Sequence, residues 1–168
     1  MSARRLGCLF AIGALLVTGC GEDGAGEGTT LENAEGITRQ IAGGWTATLH
    51  QQGLAPFKAA VDISASGTGR VAYTGIECGG EWSLHGVDQS MPPRYLFTEE
   101  IKEGAGGNCK GTGTVSLSPI QRHSPNEPAY TRLNYSFTGG GVTSRGLLRR
   151  VHPADLLAIF RQAGVSRP

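Results

Sequence analysis

From residue 44 onward, apolar and polar side chains alternate in eight short runs, and this period of two most narrows the folds open to the chain. Successive side chains of a strand point to opposite faces, so each run has one face to bury and one to leave in water. Trp45, Ala47 and Leu49 alternate with Thr46, Thr48 and His50, and Phe57, Ala59, Val61 and Ile63 with partners that include Lys58 and Asp62. The third run presents Val71 and Tyr73, and the fourth presents Trp82 and Leu84 opposite Glu81, Ser83 and His85. Tyr95, Phe97 and Ile101 follow, then Gly113, Val115 and Leu117, then Leu133, Tyr135 and Phe137. The last run offers Gly146 and Leu148 before Arg150. Eight consecutive amphipathic strands with mostly short links predict an all-β fold, an eight-stranded up-and-down antiparallel barrel over residues 37–151. A charged fraction of 17% and 27 glycines suit such a turn-rich domain.

A helix is expected after the barrel, within residues 152–168. "HPADLLAIFRQAG" places Pro153 at the first helical position and Gly164 at the stop. Leu156, Ile159, Phe160 and Ala163 fall on one stripe. That stripe either packs on the barrel wall, closes one end, or meets a partner.

Ahead of the barrel lies a segment of another kind. Arg4 and Arg5 precede an apolar stretch from Leu6 to Val17, followed by Thr18, Gly19 and Cys20. This order is that of a secretory signal peptide, residues 1–19. A dozen helical residues rise about 18 Å, short of the ~30 Å hydrocarbon core, which argues against a permanent span. Val17-Thr18-Gly19-Cys20 resembles the lipobox of bacterial lipoproteins. The resemblance implies cleavage before Cys20, lipidation of its sulfur (palmitate among the acyl chains) and residence on the extracytoplasmic side of the cell or outer membrane. An ordinary signal peptide ending near a cysteine is the alternative. Residues 21–36 hold five acidic side chains, no basic ones and no aromatics, the composition of a flexible tether. Removing residues 1–19 leaves 13 Lys and Arg against 14 Asp and Glu, so the mature chain is near neutral, and neither a basic field nor a nucleic-acid partner is expected.

Export also organises the cysteines. Cys8 leaves with the signal and Cys20 takes the lipid, so Cys78 and Cys109 remain as a pair in an oxidising compartment. In a meander, alternate loops share an end. Cys78 is expected in the loop after the third strand and Cys109 in the loop after the fifth, which lets them form a disulfide at one end. Neither lies in a CxxC motif, and the four histidines, His50, His85, His123 and His152, show no ligand spacing, so no metal and no cofactor is expected.

Gly43-Gly44-Trp45 fits the G-x-W of lipocalins and related calycins. The likeness implies that Trp45 closes one end of the barrel beneath an arginine from a late strand, Arg150, with Arg149 as the alternative. A wider resemblance runs over about residues 42–151. "GWTATLHQ", "CGGEWSL" (78–84), Glu99-x-Ile101-x-x-Gly104 before Cys109, "GTGTVSL" (111–117) and "GLLRRV" (146–151) look like a small secreted β-domain. That domain occurs at the extracellular ends of bacterial serine/threonine kinases and in stand-alone lipoproteins. It implies a sensor or binding module, and this chain has no kinase loop, HRD or DFG.

Signals of catalysis are sparse. No G-x-S-x-G elbow is present. Ser83, His85 and Asp88 make a poor triad, because side chains on one strand point in parallel rather than into a cleft. His123 sits in the Pro-rich stretch "SPIQRHSPNEPA" (118–129), which reads as a surface loop. Glu99 stands out, since its parity puts a carboxylate on the inward face with Tyr95, Phe97 and Ile101. It either bonds to a tyrosine, backbone amides or an inward arginine, turns outward at a bulge, or contacts a polar ligand inside the barrel. The expectation is therefore a lipid-anchored binding or sensor module that is not an enzyme. Its partner would be a small molecule or an envelope protein, and residues 51–56, 75–80, 103–110 and 138–141 would form the mouth of the barrel. The alternative is a protein-binding lipoprotein such as a lysozyme-type hydrolase inhibitor, followed by a hydrolase. The interior discriminates: a void of several hundred Å³ suits a small molecule, and a packed one suits surface recognition.

Overall fold

The computed structural model describes residues 36, 38–104, 109, 111–120, 130–163 and 165. The expected signal segment, Cys20, the acidic tether up to Glu35 and His123 lie outside the described residues.

The strands are β1 (Gly43–Gln51), β2 (Phe57–Ile63), β3 (Thr68–Thr74), β4 (Cys78–Asp88), β5 (Arg94–Glu103), β6 (Thr112–Pro119), β7 (Arg132–Gly139) and β8 (Val142–Arg150). Each pairs antiparallel with the next, and β8 pairs with β1, so the chain forms a closed up-and-down barrel. Closure leaves no free sheet edge. The expected parity is what the strands adopt: Trp45, Val61, Val71, Trp82, Tyr95, Phe97, Val115, Leu117, Leu133 and Leu148 fill the interior, each essentially inaccessible to solvent. Gly113 and Gly146 also face in, and their missing side chains leave room for neighbours. A Cβ on Gly146 would lie 2.5 Å from Leu49 Cδ2, and one on Gly113 would run into the Phe137 ring.

One end of the barrel is plugged by residues 38–42. Thr38 and Ile41 are buried there; the Thr38 hydroxyl donates to the Ala65 carbonyl at 2.6 Å, and the Ile41 and Ala42 amides both fold back onto the Thr38 carbonyl. Trp45 Nε1 donates to the Ile41 carbonyl at 2.8 Å.

The C-terminal helix, α1 (Pro153–Gln162), starts at His152, whose ring nitrogen accepts from the Ala154 amide. It lies against the outside of β1–β3 and buries Leu156 and Phe160. The barrel surface beneath it is shaved smooth. Ala60 and Ala72 are cross-strand partners, and both are buried although they face outward. A Cβ on Gly44 would come within 2.9 Å of Leu156 Cδ2. Of the three expected roles for the apolar stripe, packing on the wall is the one seen.

At the other end Cys78 and Cys109 form a disulfide, their Cα atoms 6.4 Å apart. Cys78 departs from expectation in one respect. It is the first residue of β4, opposite Tyr73, and not in the preceding loop. Gly79 and Gly80, expected in the mouth loop 75–80, lie in the strand, and their neighbours leave room for glycine alone. A Cβ on Gly80 would lie 2.7 Å from the Glu100 carbonyl oxygen, and one on Gly79 2.7 Å from Val165 Cγ2.

Candidate functional site

Three places hold the residues that the sequence singles out: the plugged end, the polar cluster inside the barrel, and the outer face of β4.

At the plugged end, Arg150 and not Arg149 covers Trp45. Its guanidinium carbon stands 4.4 Å from the indole centroid. The same fork donates to three carbonyls: Nε to Tyr130 at 2.9 Å, Nη1 to Ala42 at 2.7 Å and Nη2 to Gln40 at 3.3 Å. Strand parity explains the choice between the two arginines, because Arg149 is exposed on the outer face of β8 while Arg150 turns toward the barrel end. Partial burial lowers the Arg150 pKa from its ordinary value. With three N–H donors on carbonyls and its guanidinium over an aromatic face, this arginine fastens the end of β8 to the plug and to Tyr130.

Glu99 lies inside the barrel, 2% exposed. Tyr73 Oη donates to its Oε1 at 2.6 Å, and the Tyr73 and Tyr135 hydroxyls are 3.3 Å apart. Of the alternatives open in the sequence, the bond to a tyrosine is the one formed. Trp82 is the direct cross-strand neighbour of Glu99. Its indole N–H sits close enough to draw the carboxyl pKa downward, yet it falls outside hydrogen-bond geometry and has no partner. Burial outweighs these donors and raises the Glu99 pKa from 4.5 to about 7. The Tyr73 hydroxyl is held well above its ordinary range by burial, then by Tyr135 and Glu99. Burial, then the charge of Glu99, does the same to Tyr135. Both phenols therefore stay protonated and available as donors.

This cluster forms the floor of a recess that opens beneath the disulfide. Gln51 and Ser144 stand on its rim, joined by a 2.6 Å hydrogen bond from Ser144 Oγ to Gln51 Oε1. The recess holds about 30 Å³, room for a water or two. Above and around the floor the aromatic rings close ranks. Trp82 stacks on Tyr135 with centroids 6.1 Å apart and contacts Phe97 at 5.7 Å, while Phe57 meets Tyr73 edge-on at 5.8 Å. Chemically the arrangement is a buried carboxyl with phenolic donors, and among the described residues no second acid lines the recess.

The third place, on β4, separates its residues. A register shift between Leu84 and Gly86 leaves His85 at a bulge, and His85 Nδ1 lies 3.1 Å from Thr98 Oγ1. Asp88 is taken by other partners: Oδ2 accepts from Arg94 Nε at 3.1 Å and Nη2 at 2.5 Å, and Oδ1 from the Ser90 amide at 2.9 Å. Arg94 lowers the Asp88 pKa accordingly. Ser83 is exposed on the outer face, so the three residues do not converge. Among the described residues no three His, Cys, Asp or Glu side chains gather as a metal site.

Sequence reasoning missed the plug, because Thr38 and Ile41 belong to no periodic run. It also missed the helix seat, although alanine at two outward positions, Ala60 and Ala72, was a visible signal. No protein-family model, no curated protein and no solved structure matches the chain.

Proposed function

We propose that this chain is a lipid-anchored, extracytoplasmic recognition module that engages its partner with its outer surface rather than by enclosing a small molecule. One observation carries the reading. The closed barrel is filled by its own side chains, and the recess at its open end, about 30 Å³, is an order of magnitude below the ~300–1,000 Å³ of ordinary ligand pockets. Recognition then falls to the outside, where the fixed barrel holds strands and helix in one geometry and little ordering remains to be done on binding. The anchor rests on the lipobox resemblance and the acidic tether, which would hold the domain clear of the membrane.

The test joins two measurements on protein taken from its native envelope. Native mass spectrometry should show the chain without a stoichiometric small molecule. Photo-crosslinking from outward positions on the barrel should capture a discrete partner. A retained small molecule, or crosslinks confined to the recess, would overturn surface recognition. For the anchor, Cys20→Ala should move the protein from membrane to soluble fractions, and unchanged retention counts against lipidation.

A further inference from the structure

The neutral total charge conceals a segregation. Residues 37–168 hold 13 Lys and Arg against 9 Asp and Glu, and the balance of acid lies in the tether. Within the barrel the separation is sharper still. Four strands that are contiguous around the wall, β6, β7, β8 and β1, contain no acidic residue, whereas β4 and β5 carry Glu81, Asp88, Glu99, Glu100 and Glu103. On the acid-free wall Arg132 and Arg149 are direct cross-strand neighbours. Like charges so placed repel, and among the described residues no carboxylate lies within ion-pair distance of either, or of Arg145. Arg145 is exposed four residues before Arg149 on β8, about 13 Å along the strand.

Between these cations Leu147 faces out, half-buried, beside Asn134, and the wall next to it carries hydroxyls. A shallow trough of about 430 Å³ is lined by Ser116, Ser118, Asn134, Ser136 and Arg145, with Arg94 at its far rim already paired to Asp88. Toward the disulfide end Thr98, Thr114, Thr138 and Thr143 form an exposed row across four strands.

We propose that this wall binds a linear anionic polysaccharide. Paired guanidinium forks recognise carboxylate, sulfate or phosphate groups. Two cationic points about 13 Å apart call for charges repeated along an extended chain. Hydroxyl and amide groups beside them match sugar hydroxyls. The outward residues of the four strands include no Phe, Tyr or Trp on which bases of a single strand would stack, or which would anchor a protein interface, and their one imidazole is His50, opposite Arg145. Among the described residues the fully exposed large apolar side chain is Met91, between β4 and β5 and off this wall, so nothing here inserts into a bilayer.

The proposal rests on surface recognition, and its test is separable. The full chain in detergent is titrated against fluorescent polygalacturonate, with anisotropy as the readout. Binding should weaken with salt and be absent for neutral dextran. Arg132→Ser with Arg149→Ser, and separately Arg145→Ser, should each weaken it about tenfold or more. Arg161→Gln, on the helix, should leave it unchanged, and equal melting temperatures show that the variants fold. No binding of polygalacturonate, or retained binding after all three wall arginines are removed, overturns the proposal. Poly-L-glutamate, single-stranded DNA or phosphatidylglycerol vesicles competing as well per charge also overturns it, in favour of general anion, nucleic-acid or membrane attraction. Envelope crosslinks that fall on another wall would sink this proposal and leave surface recognition standing.

Discussion

Tyr73 Oη donates a 2.6 Å hydrogen bond to Glu99 Oε1 across the inside of a closed barrel, and Glu99 still carries a pKa near 7. Burial therefore wins over the donor. Folding raises this carboxyl from 4.5, so between pH 4.5 and 7 the folded state keeps a proton that the unfolded state has lost. Stability should fall as pH rises through that window and level off above it, by an amount of order 3 kcal/mol. Glu99→Gln keeps an acceptor for Tyr73 and removes the charge. Chemical denaturation at pH 4 should find variant and parent similar, and at pH 8 the variant should be the more stable. A parallel pH dependence in both would refute the assignment.

Arg150→Ala should lower stability by roughly 3 kcal/mol, since it removes the cation over Trp45 and strands carbonyls of Gln40, Ala42 and Tyr130. Arg150→Lys should recover only part of this, because an ammonium cannot reproduce the three-way fork. Arg149→Ala, one residue away but exposed, should stay within about 0.5 kcal/mol of the parent in urea titrations.

Replacing both Cys78 and Cys109 by Ser should lower stability by about 3–4 kcal/mol, the loop-closure effect for a bridge spanning 31 residues. The loss should be uneven. Hydrogen exchange should accelerate at Ile76–Gly80 before it does around Trp45, because the plugged end keeps its own fastening.

Gly113→Ala should cost about 2–3 kcal/mol, as its methyl would enter the space of the Phe137 ring and approach the Thr138 carbonyl. Phe137→Leu in the same chain should restore part of the loss. Additivity of the two changes in a double-mutant cycle would argue against the contact.

The barrel was legible because it obeys one rule throughout. Trp45, Val61, Tyr95 and Leu133 stand at alternate positions facing a common interior, and short links leave few ways to order the strands. Arg150 came from the G-x-W likeness, with Arg149 left open beside it, and the parity of β8 in the structure separates the two. Glu99 broke the pattern and marked the polar cluster, but its partners were hidden by distance: Tyr73 is 26 residues from Glu99, and Tyr135 is 62 from Tyr73. What periodicity could not reveal was anything held by shape. Gly79 and Gly80 carry turn chemistry, yet they lie in β4, and they are glycines because the chain after the helix and a neighbouring strand leave no room for side chains. The acid-free wall escaped notice because it exists only when β6, β7, β8 and β1 are laid side by side.

Arg150, the last residue of β8, grips the carbonyls of Gln40 and Ala42, just ahead of β1. The Val151 amide adds a 3.0 Å bond to the Gly44 carbonyl. A pull entering through the N-terminal segment consequently meets the end of the last strand before it reaches the first. The load is shared across the seam where the two strands join, and β1 cannot be peeled from the wall until that grip gives way. Under such a pull, the fold begins with its strain relief.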